Sequence, residues 1–557
     1  MLLGQLSQGI LVVGGRATIG ETTVDLQIWL PRHFPASLPI VFVVSPLPRR
    51  VPHVTNAGMV CYDRTAGLII DRHNPARVVH QALDRALEML ETGLGGRNAS
   101  DFVAEFKSVW RELAPEGQTQ EVYSLVEPRG RVRWIRAVYG RLQSQKEEQL
   151  TGFLEEAGQL GRWGKPALFG NAPRLRRALF VPLRPKVSFQ PPAPEGRWSS
   201  RQIRQFLEIN LKKKERQTLR RLLATDPLAP VLLAVPRDAQ SHALVAFEVP
   251  GAYLLHPLLG GRERIAPRFY TATRLDQTYL LPRGGASRGL ASKHALIIGC
   301  GSLGSRIAEL LAGSGIGKLT LVDPETLCTD NLYRHVLSAH HVGRSKVVGM
   351  QVELESRYLH LRVQTVAGDI LETLDSGTVR LDAFDLIVAA TGEPSVELEL
   401  NRRFRAAHNA PPIVYSWLEV LGLGGHAVLT VSGARGCLEC VYNPASHAEA
   451  PLYNRASFAA ARQRRDYGRD LDGCGGAFTP FSALDAARTA ELTVRMAVRT
   501  LEARTPQPRL ESWRGDAERF TTAGFFVGDR YRVNADTLTL SGESFARADC
   551  PCCRVTS

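Results

Sequence analysis

The sequence lacks several features that mark large protein classes. It has no apolar run long enough to span a bilayer, and its N-terminus has no cationic segment ahead of an apolar stretch, as a secretory signal requires. It shows no fixed-period repeat and no low-complexity tract. The net charge is +14, yet no helix-turn-helix or RNA-binding signature accompanies it. We therefore expect a cytoplasmic protein with a solvated basic surface and with neither membrane nor nucleic-acid partners.

Cysteine is scarce and clustered. The nine cysteines are an odd number in a chain of 557 residues, which argues for thiols in a reducing compartment and against a disulfide framework. Four of them form two CxxC pairs that lie about 110 residues apart: Cys437 with Cys440, and Cys550 with Cys553. Four thiolates arranged in paired knuckles suit tetrahedral zinc, and a closed site of this kind is structural. Cys552 is an alternative ligand.

The length predicts three or four domains. Residues 1–105 show strand patterns broken by Pro-rich turns, then apolar residues at helical spacing in two segments, Pro75–Leu94 and Asp101–Trp110. Residues 106–285 predict a folded connector domain without assignable chemistry. Residues 286–557 alternate strand and helix patterns, which predicts a mostly parallel sheet with helices on both faces. The expected fold class is therefore α/β.

A glycine turn in the third domain indicates a nucleotide site. An apolar strand at Ala295–Ile298 runs into a Gly-Cys-Gly-Ser-Leu-Gly segment, whose phosphate-facing residues are Gly299, Gly301, Ser302 and Gly304. Asp323 ends the next apolar strand, where a carboxylate can hold ribose hydroxyls. Asn331, Arg334 and Lys346 add polar and cationic groups that a redox site does not need. They predict attack on the α-phosphate of ATP, with Arg334 and Lys346 as catalytic residues.

This set of motifs resembles the ThiF/MoeB-like family and the related ubiquitin-activating enzymes. The resemblance implies a Rossmann-type adenylation domain that activates a protein's C-terminal carboxylate, with a structural zinc, and it implies a homodimer. It also implies that Arg274 reaches the partner subunit's nucleotide. The family's magnesium-binding Asp is replaced here by Gly392. Glu393, one position later, is the carboxylate expected to serve Mg²⁺.

Two further cysteines are candidate thioester sites. Cys474 lies in a Gly-Cys-Gly-Gly segment, and ThiF-like proteins carry a cysteine at a similar place. Cys61 follows a segment that resembles the ubiquitin-conjugating enzyme fold, with Val51-Pro52-His53 in place of the family's His-Pro-Asn turn. An imidazole can donate a hydrogen bond to an oxyanion as the usual asparagine does, so His53 is the expected oxyanion donor. Alternatively, Cys474 is a small buried residue and His53 merely caps its turn.

Together the domains resemble bacterial fusions of a conjugating and an activating module, most closely those of CBASS antiphage operons. The resemblance implies a relay in which ATP activates a partner's C-terminus, Cys474 and then Cys61 carry it as thioesters, and a target lysine accepts it. The partner would be a cGAS-like nucleotidyltransferase or, alternatively, a dedicated ubiquitin-like protein. Two other classes stay open: a sulfur-carrier adenylyltransferase for cofactor or tRNA thiolation, and a non-catalytic scaffold.

Overall fold

A computed structural model describes most of the chain. The described residues are 2–6, 10–63, 67–114, 120–141, 147–159, 166–193, 196, 198–238, 241–249, 256–260, 267–407, 410–444, 452–460, 469–470, 477–478, 480–533 and 537–553. The chain divides into two compact units, Met1–Gln277 and Thr278–Ser557. Within the described ranges, no helix has both the length and the apolarity needed to cross a membrane.

The first unit opens with an antiparallel sheet whose strands follow chain order: β1 (Leu2–Leu6), β2 (Ile10–Ile19), β3 (Thr22–Leu30), β4 (Ile40–Val43) and β5 (Met59–Val60). Helix α1 (Pro75–Leu94) begins after Asn74, whose side chain accepts a hydrogen bond from the Arg77 N–H. Pro75 suits this first turn because no intrahelical N–H is needed there. One face of α1 is buried through residues four apart: Val78, Ala82, Ala86 and Leu90. Ala86 and Leu90 pack against the apolar residues of the sheet.

Two short helices follow where the sequence predicts one. Helix α2 (Asp101–Ala104) ends at Glu105, and α3 (Phe106–Glu112) begins directly after it. Glu105 leaves the helical region, with φ of −98° and ψ of 15°. Its carboxylate accepts a hydrogen bond from the His53 N–H at 3.0 Å. The prediction of a continuous helix is therefore wrong, because a contact distant in sequence bends the chain at this residue.

A closed barrel fills the rest of the first unit. Its strands lie in the order β10-β11-β12-β6-β8-β7-β9. Their bounds are β6 (Gln120–Ser124), β7 (Arg133–Arg141), β8 (Gln149–Leu154), β9 (Asn171–Pro182), β10 (Val231–Pro236), β11 (His242–Glu248) and β12 (Arg268–Arg274). Phe153 and Phe180 are fully buried inside it. Helices α4 (Pro166–Phe169), α5 (Ser200–Asn210) and α6 (Lys213–Thr225) lie between its strands along the chain.

An eight-stranded sheet forms the second unit. Its order is β15-β14-β13-β16-β17-β18-β23-β24, parallel from β15 to β17 and antiparallel beyond. The strands are β13 (His294–Ile298), β14 (Lys318–Val322), β15 (Arg362–Val366), β16 (Leu386–Ala389), β17 (Ile413–Leu418), β18 (Gly424–Thr430), β23 (Arg509–Arg514) and β24 (Thr537–Ser541). Two small hairpins pair β19 (Tyr442–Pro444) with β20 (Leu452–Asn454) and β21 (Arg469–Asp470) with β22 (Ala477–Phe478).

The helices that follow the barrel are α7 (Gln277–Arg283), α8 (Ser302–Gly313), α9 (Lys346–Arg357), α10 (Ile370–Asp375), α11 (Pro394–Ala406), α12 (Ala483–Glu502), α13 (Glu518–Thr522) and α14 (Gly542–Phe545). Helices α8, α9 and α11 each follow a strand of the parallel region. Strands β13, β14 and β16 end at the same edge, so their C-terminal loops meet there. In open parallel sheets, ligands bind at this edge.

Candidate active sites and a candidate metal centre

The glycine turn between β13 and α8 has the backbone geometry of a phosphate loop. Gly299 has a φ of 83°, and an added Cβ there would lie 2.6 Å from the Ala390 carbonyl oxygen. An added Cβ at Gly304 would lie 1.9 Å from the Gly299 carbonyl oxygen. Glycine is required at both positions, because the turn is left-handed and α8 packs directly on it. Gly301 precedes the first residue of α8 and leaves the helix N-terminus open.

Asp323 lies at the end of β14, directly beside this turn. Its carboxylate accepts hydrogen bonds from the Cys300 N–H at 2.6 Å and the Glu325 N–H at 2.8 Å. The side chain is 5% exposed. These two backbone donors fix the orientation of the carboxylate and leave further acceptor positions for ribose hydroxyls.

The predicted triphosphate residues lie along the loop from β14 to α9. Lys346 is buried at the start of α9, and its ammonium group pairs with the Glu325 carboxylate. The Ser302 hydroxyl donates to the Arg334 carbonyl oxygen at 2.7 Å, which connects the glycine turn to this loop. The Asn331 side-chain oxygen accepts a hydrogen bond from the Cys328 N–H at 3.2 Å. The structure therefore brings these residues near the turn, while their roles stay predictions.

The loop after β16 carries the residues expected near magnesium, and the role of Glu393 stays a prediction. Glu393 is exposed at the start of α11, and Gly392 has a φ of 74° with open space around it. Sequence reasoning missed Glu397, which is 3% exposed and accepts hydrogen bonds from the Thr391 N–H at 3.1 Å and the Thr391 hydroxyl at 3.0 Å. Burial raises the pKa of Glu397 to about 8. In the sequence, Glu397 is an ordinary acidic residue in the first turn of a helix, and nothing there indicates its burial or its bonds to Thr391.

Arg274 makes an internal ion pair in the first unit. Its guanidinium donates two hydrogen bonds to the Asp276 carboxylate, each at 2.8 Å, and both side chains are buried. To reach a nucleotide in a partner subunit, Arg274 would have to leave Asp276. The role of Arg274 at the partner subunit's nucleotide stays a prediction.

Cys61 lies beside an acidic cavity. The thiol is exposed, and the residue's N–H donates to the His53 carbonyl oxygen at 2.7 Å. A cavity of about 100 Å³ adjoins it, lined in part by Phe102, Glu105 and Glu112. Burial raises the pKa of the Cys61 thiol, and the charges of the two glutamates add to the effect. The resting group is therefore a neutral thiol.

His53 faces carboxylates through both ring nitrogens. Nδ1 lies 2.5 Å from Glu105 Oε1, and Nε2 lies 3.1 Å from Asp101 Oδ2. The residue has a φ of 64°, a left-handed conformation that fits a tight turn. To donate to an oxyanion on Cys61, the imidazole would have to release one carboxylate. The oxyanion role of His53 stays a prediction.

The His53–Glu105 pair predicts a pH-dependent stability. The hydrogen bond to Glu105 raises the pKa of His53, and that bond lowers the pKa of Glu105 although burial opposes it. The His53 contribution is complete below its unfolded pKa of about 6.5 and is lost as pH rises through the folded value. The Glu105 contribution is present above about pH 4.3 and is lost as pH falls through its folded value.

We expect the wild type to lose about 1 kcal/mol of unfolding free energy between about pH 6 and about pH 9 through this pair. A His53→Gln variant should show a flatter dependence in urea titrations at the two pH values. His33→Gln serves as the control, since His33 is exposed. Equal pH dependence in the His53→Gln variant and the wild type would contradict the ion pair.

The two CxxC pairs converge on one buried cluster. The ligand atoms of Cys437, Cys440, Cys550 and Cys553 all lie within 4.8 Å of one another. Neighbouring sulfur atoms are 3.5 to 3.9 Å apart, close to the separation of about 3.8 Å set by zinc–sulfur bonds of about 2.3 Å in a tetrahedron. The cluster can therefore hold zinc, as predicted.

Neighbouring groups fix the geometry of this cluster. The buried Asn401 side chain donates to Cys437 Sγ at 3.7 Å and accepts from the Leu438 N–H at 3.2 Å. Cys552 is outside the cluster and half-buried. Hydrogen bonding with Cys440 and the other two sulfurs, with burial, raises the pKa of Cys437. Such a cluster resists full ionisation unless a cation compensates for the charge. The other predicted thiol, Cys474, lies outside the described residues.

Two protein families match the chain over its two ends. The Prokaryotic E2 family B matches residues 8–118, and the ThiF family matches residues 279–512. The chain is a fusion of an E2-like domain and a ThiF-like domain. Both predicted resemblances and the α/β fold class are confirmed. The matches describe an enzyme that joins adenylyltransferase activity to ligase-type transfer.

The chain is also similar to several known proteins. The ATP-dependent ubiquitin transferase-like protein Cap2 of Pseudomonas aeruginosa (strain BWHPSA011 / Pa011) is 24% identical over 81% of the chain and 80% of its own length. Cap2 of Escherichia coli (strain TW11681) is 28% identical over 41% of the chain and 39% of its own length. The solved structure of E. coli MccB with ATP is 18% identical, covering 75% of the chain and 99% of its own, with a TM-score of 0.34.

Proposed function

We propose that the enzyme uses ATP to activate the C-terminal carboxylate of a partner protein and transfers it, through two cysteines, to a lysine of a target protein. The observation that carries this proposal is the pairing of a nucleotide site with a thiol site in one chain. The first combines the glycine turn with Asp323 and Lys346. The second is the exposed Cys61 in the E2-like domain.

The adenylation step needs positive charge and a fixed nucleotide. The amides at the start of α8 face the phosphates, and Asp323 holds the ribose. The partner's carboxylate attacks the α-phosphorus, the bond to pyrophosphate breaks, and an acyl-adenylate forms. Arg334 and Lys346 stabilise the charge that develops. Glu393 is the exposed carboxylate available for Mg²⁺, which would neutralise the leaving pyrophosphate.

Three acyl transfers follow in this proposal, and one of them is a sulfur-to-sulfur exchange. The Cys474 thiolate attacks the acyl carbon, AMP leaves, and a thioester forms. The Cys61 thiolate then attacks that thioester, and Cys474 leaves as the thiolate. A lysine amine finally displaces Cys61 to give an amide. The two thioester steps preserve the activation of the acyl group, and the lysine uses it when the amide forms, which gives each cysteine a function.

The partner belongs to one of two protein classes. In line with the resemblance to CBASS fusions, we propose a role in antiphage defence, with the C-terminus of a cGAS-like nucleotidyltransferase as the activated group. A dedicated ubiquitin-like protein is the alternative. We place the reaction in the cytoplasm, where both thiols stay reduced. We also retain the division into domains 1–105, 106–285 and 286–557 as a proposal.

A homodimer forms part of the proposal. Val348 and Val352 lie one turn apart on α9 and are 42% and 54% exposed. Leu310 on α8 is also exposed. Apolar side chains on these two helices favour coverage by a second copy. A sulfur-carrier adenylyltransferase would share the nucleotide site but would have no use for Cys61 in an E2-like domain.

Partner-dependent exchange of labelled pyrophosphate into ATP tests the adenylation step. The enzyme is incubated with each purified protein encoded beside its gene, and we expect exchange with one of them. Asp323→Ala should lower the exchange rate about 100-fold. The nucleotide loses the carboxylate that holds its ribose, and the glycine turn loses the acceptor of the Cys300 N–H. Cys474→Ala should retain exchange but form no thioester.

Asp382→Ala is the matched control, since Asp382 is an exposed carboxylate paired with Arg380. Wild-type exchange in Asp323→Ala would overturn the ribose assignment. Loss of exchange in Cys474→Ala would mean that the thiol acts before adenylation, contrary to the proposed order.

A further inference from the structure

His335 is a buried histidine that touches the glycine turn. Its Nδ1 accepts a hydrogen bond from the Leu337 N–H at 3.0 Å. That bond requires Nδ1 to be unprotonated, so the ring carries its proton on Nε2. Nε2 lies 2.7 Å from the Cys300 carbonyl oxygen and therefore donates to it. The residue is 6% exposed, and burial lowers its pKa to about 4. The ring is neutral at physiological pH.

The Cys300 backbone is held from two sides. Its N–H donates to Asp323, and its carbonyl oxygen accepts from His335. The peptide bond between Cys300 and Gly301 is planar and trans, so its N–H points opposite to its carbonyl. The Gly301 N–H therefore points away from His335. Within the described part of the chain this N–H has no acceptor, and it lies at the N-terminus of α8.

A second bond joins the same two segments. The Ser302 hydroxyl donates to the Arg334 carbonyl oxygen, directly before His335. The loop that carries Asn331 and Arg334 is thus connected to the glycine turn at two adjacent places. Motion of one segment would shift both the phosphate-facing amide and the guanidinium.

We propose that His335 is a positioning residue, which orients the Gly301 N–H toward a phosphate of ATP and holds the Arg334 loop against the glycine turn. This inference rests on the proposed nucleotide site. The ring does not exchange a proton with substrate. It fixes one peptide plane, so its removal should affect the binding of phosphate-bearing nucleotides more than that of adenosine.

Calorimetry with ATP and with adenosine tests the proposal on the full chain. We expect His335→Ala to raise the Kd for ATP about ten-fold, the size of one lost hydrogen bond, and to change the Kd for adenosine less than two-fold. His335→Gln should recover most of the ATP affinity, since its amide can donate to the same carbonyl. His341→Ala is the matched control. His341 is 5% exposed, and its ring nitrogen Nε2 lies 2.8 Å from the Glu353 carboxylate.

The outcomes separate two failures. If the wild type binds no ATP, the proposed nucleotide site itself fails. If the wild type binds ATP and His335→Ala binds it equally well, the positioning role is wrong. If His335→Ala weakens the binding of ATP and of adenosine equally, His335 has only a packing role. The same holds if His341→Ala weakens ATP binding as much as His335→Ala does. Thermal unfolding of each variant shows whether the folded state is retained. If His335→Ala is unfolded, His335→Gln is compared directly with the wild type. ATP affinity close to that of the wild type supports the proposal, and clearly weaker ATP binding by a folded His335→Gln overturns it.

Discussion

A Cys440→Ser variant is expected to lose bound zinc and to unfold at a markedly lower temperature than the wild type. The four sulfur atoms of the cluster draw the C-terminal residues 550–553 to the knuckle that follows β18. Structural zinc sites contribute about 10–16 kcal/mol of apparent binding free energy, so a lost ligand removes a large part of the local stability. Zinc content by elemental analysis and the melting temperature measure the two effects.

Cys552→Ser supplies the matched control for this experiment. Cys552 adjoins the ligand Cys553 in sequence but is outside the cluster. The control should keep one zinc per chain and the wild-type melting temperature. Full zinc content in Cys440→Ser would contradict the site, and zinc loss in Cys552→Ser would mean that the ligand set is different.

A Cys61→Ala variant is expected to form no amide product and to accumulate the partner on Cys474. The methyl group cannot accept an acyl group, so the relay stops one step before the target amine. With the partner identified by pyrophosphate exchange, we expect product formation to fall at least about 1000-fold, as for removal of a nucleophile in covalent catalysis. Non-reducing electrophoresis shows the retained thioester, and reducing conditions should release it.

Adenylation provides the control within the same variant. Pyrophosphate exchange should be unchanged in Cys61→Ala, because Cys61 acts after the nucleotide has left. Wild-type amide formation by this variant would remove Cys61 from the pathway. Absence of both exchange and product would instead indicate a folding defect.

The features that could be predicted from the sequence are those with short-range signals. Apolar residues at helical spacing predicted α1, and its observed bounds equal the predicted ones. Continuous apolar runs predicted the buried parallel strands, because strands covered on both faces have no polar side to alternate. The CxxC spacing predicted the sulfur cluster, since each knuckle places two thiols within reach of one ion.

Other features depend on contacts between distant residues and gave no signal. The barrel closes through pairings such as β12 with β6, whose strands lie more than a hundred residues apart. The break at Glu105 comes from its bonds to His53, which no helical pattern encodes. The Glu397 side chain accepts a hydrogen bond from the Thr391 N–H, and the His335 side chain bonds the Cys300 carbonyl oxygen. Their residue types alone did not distinguish them from ordinary core positions.

The most direct test of the central claim is the intact mass of the non-reduced enzyme after incubation with ATP and the proteins encoded beside its gene. We predict an ATP-dependent increase equal to the mass of one partner minus one water, mapped by digestion to Cys61 and Cys474 and removed by thiols. ATP consumption with no protein adduct on either sulfur would contradict it.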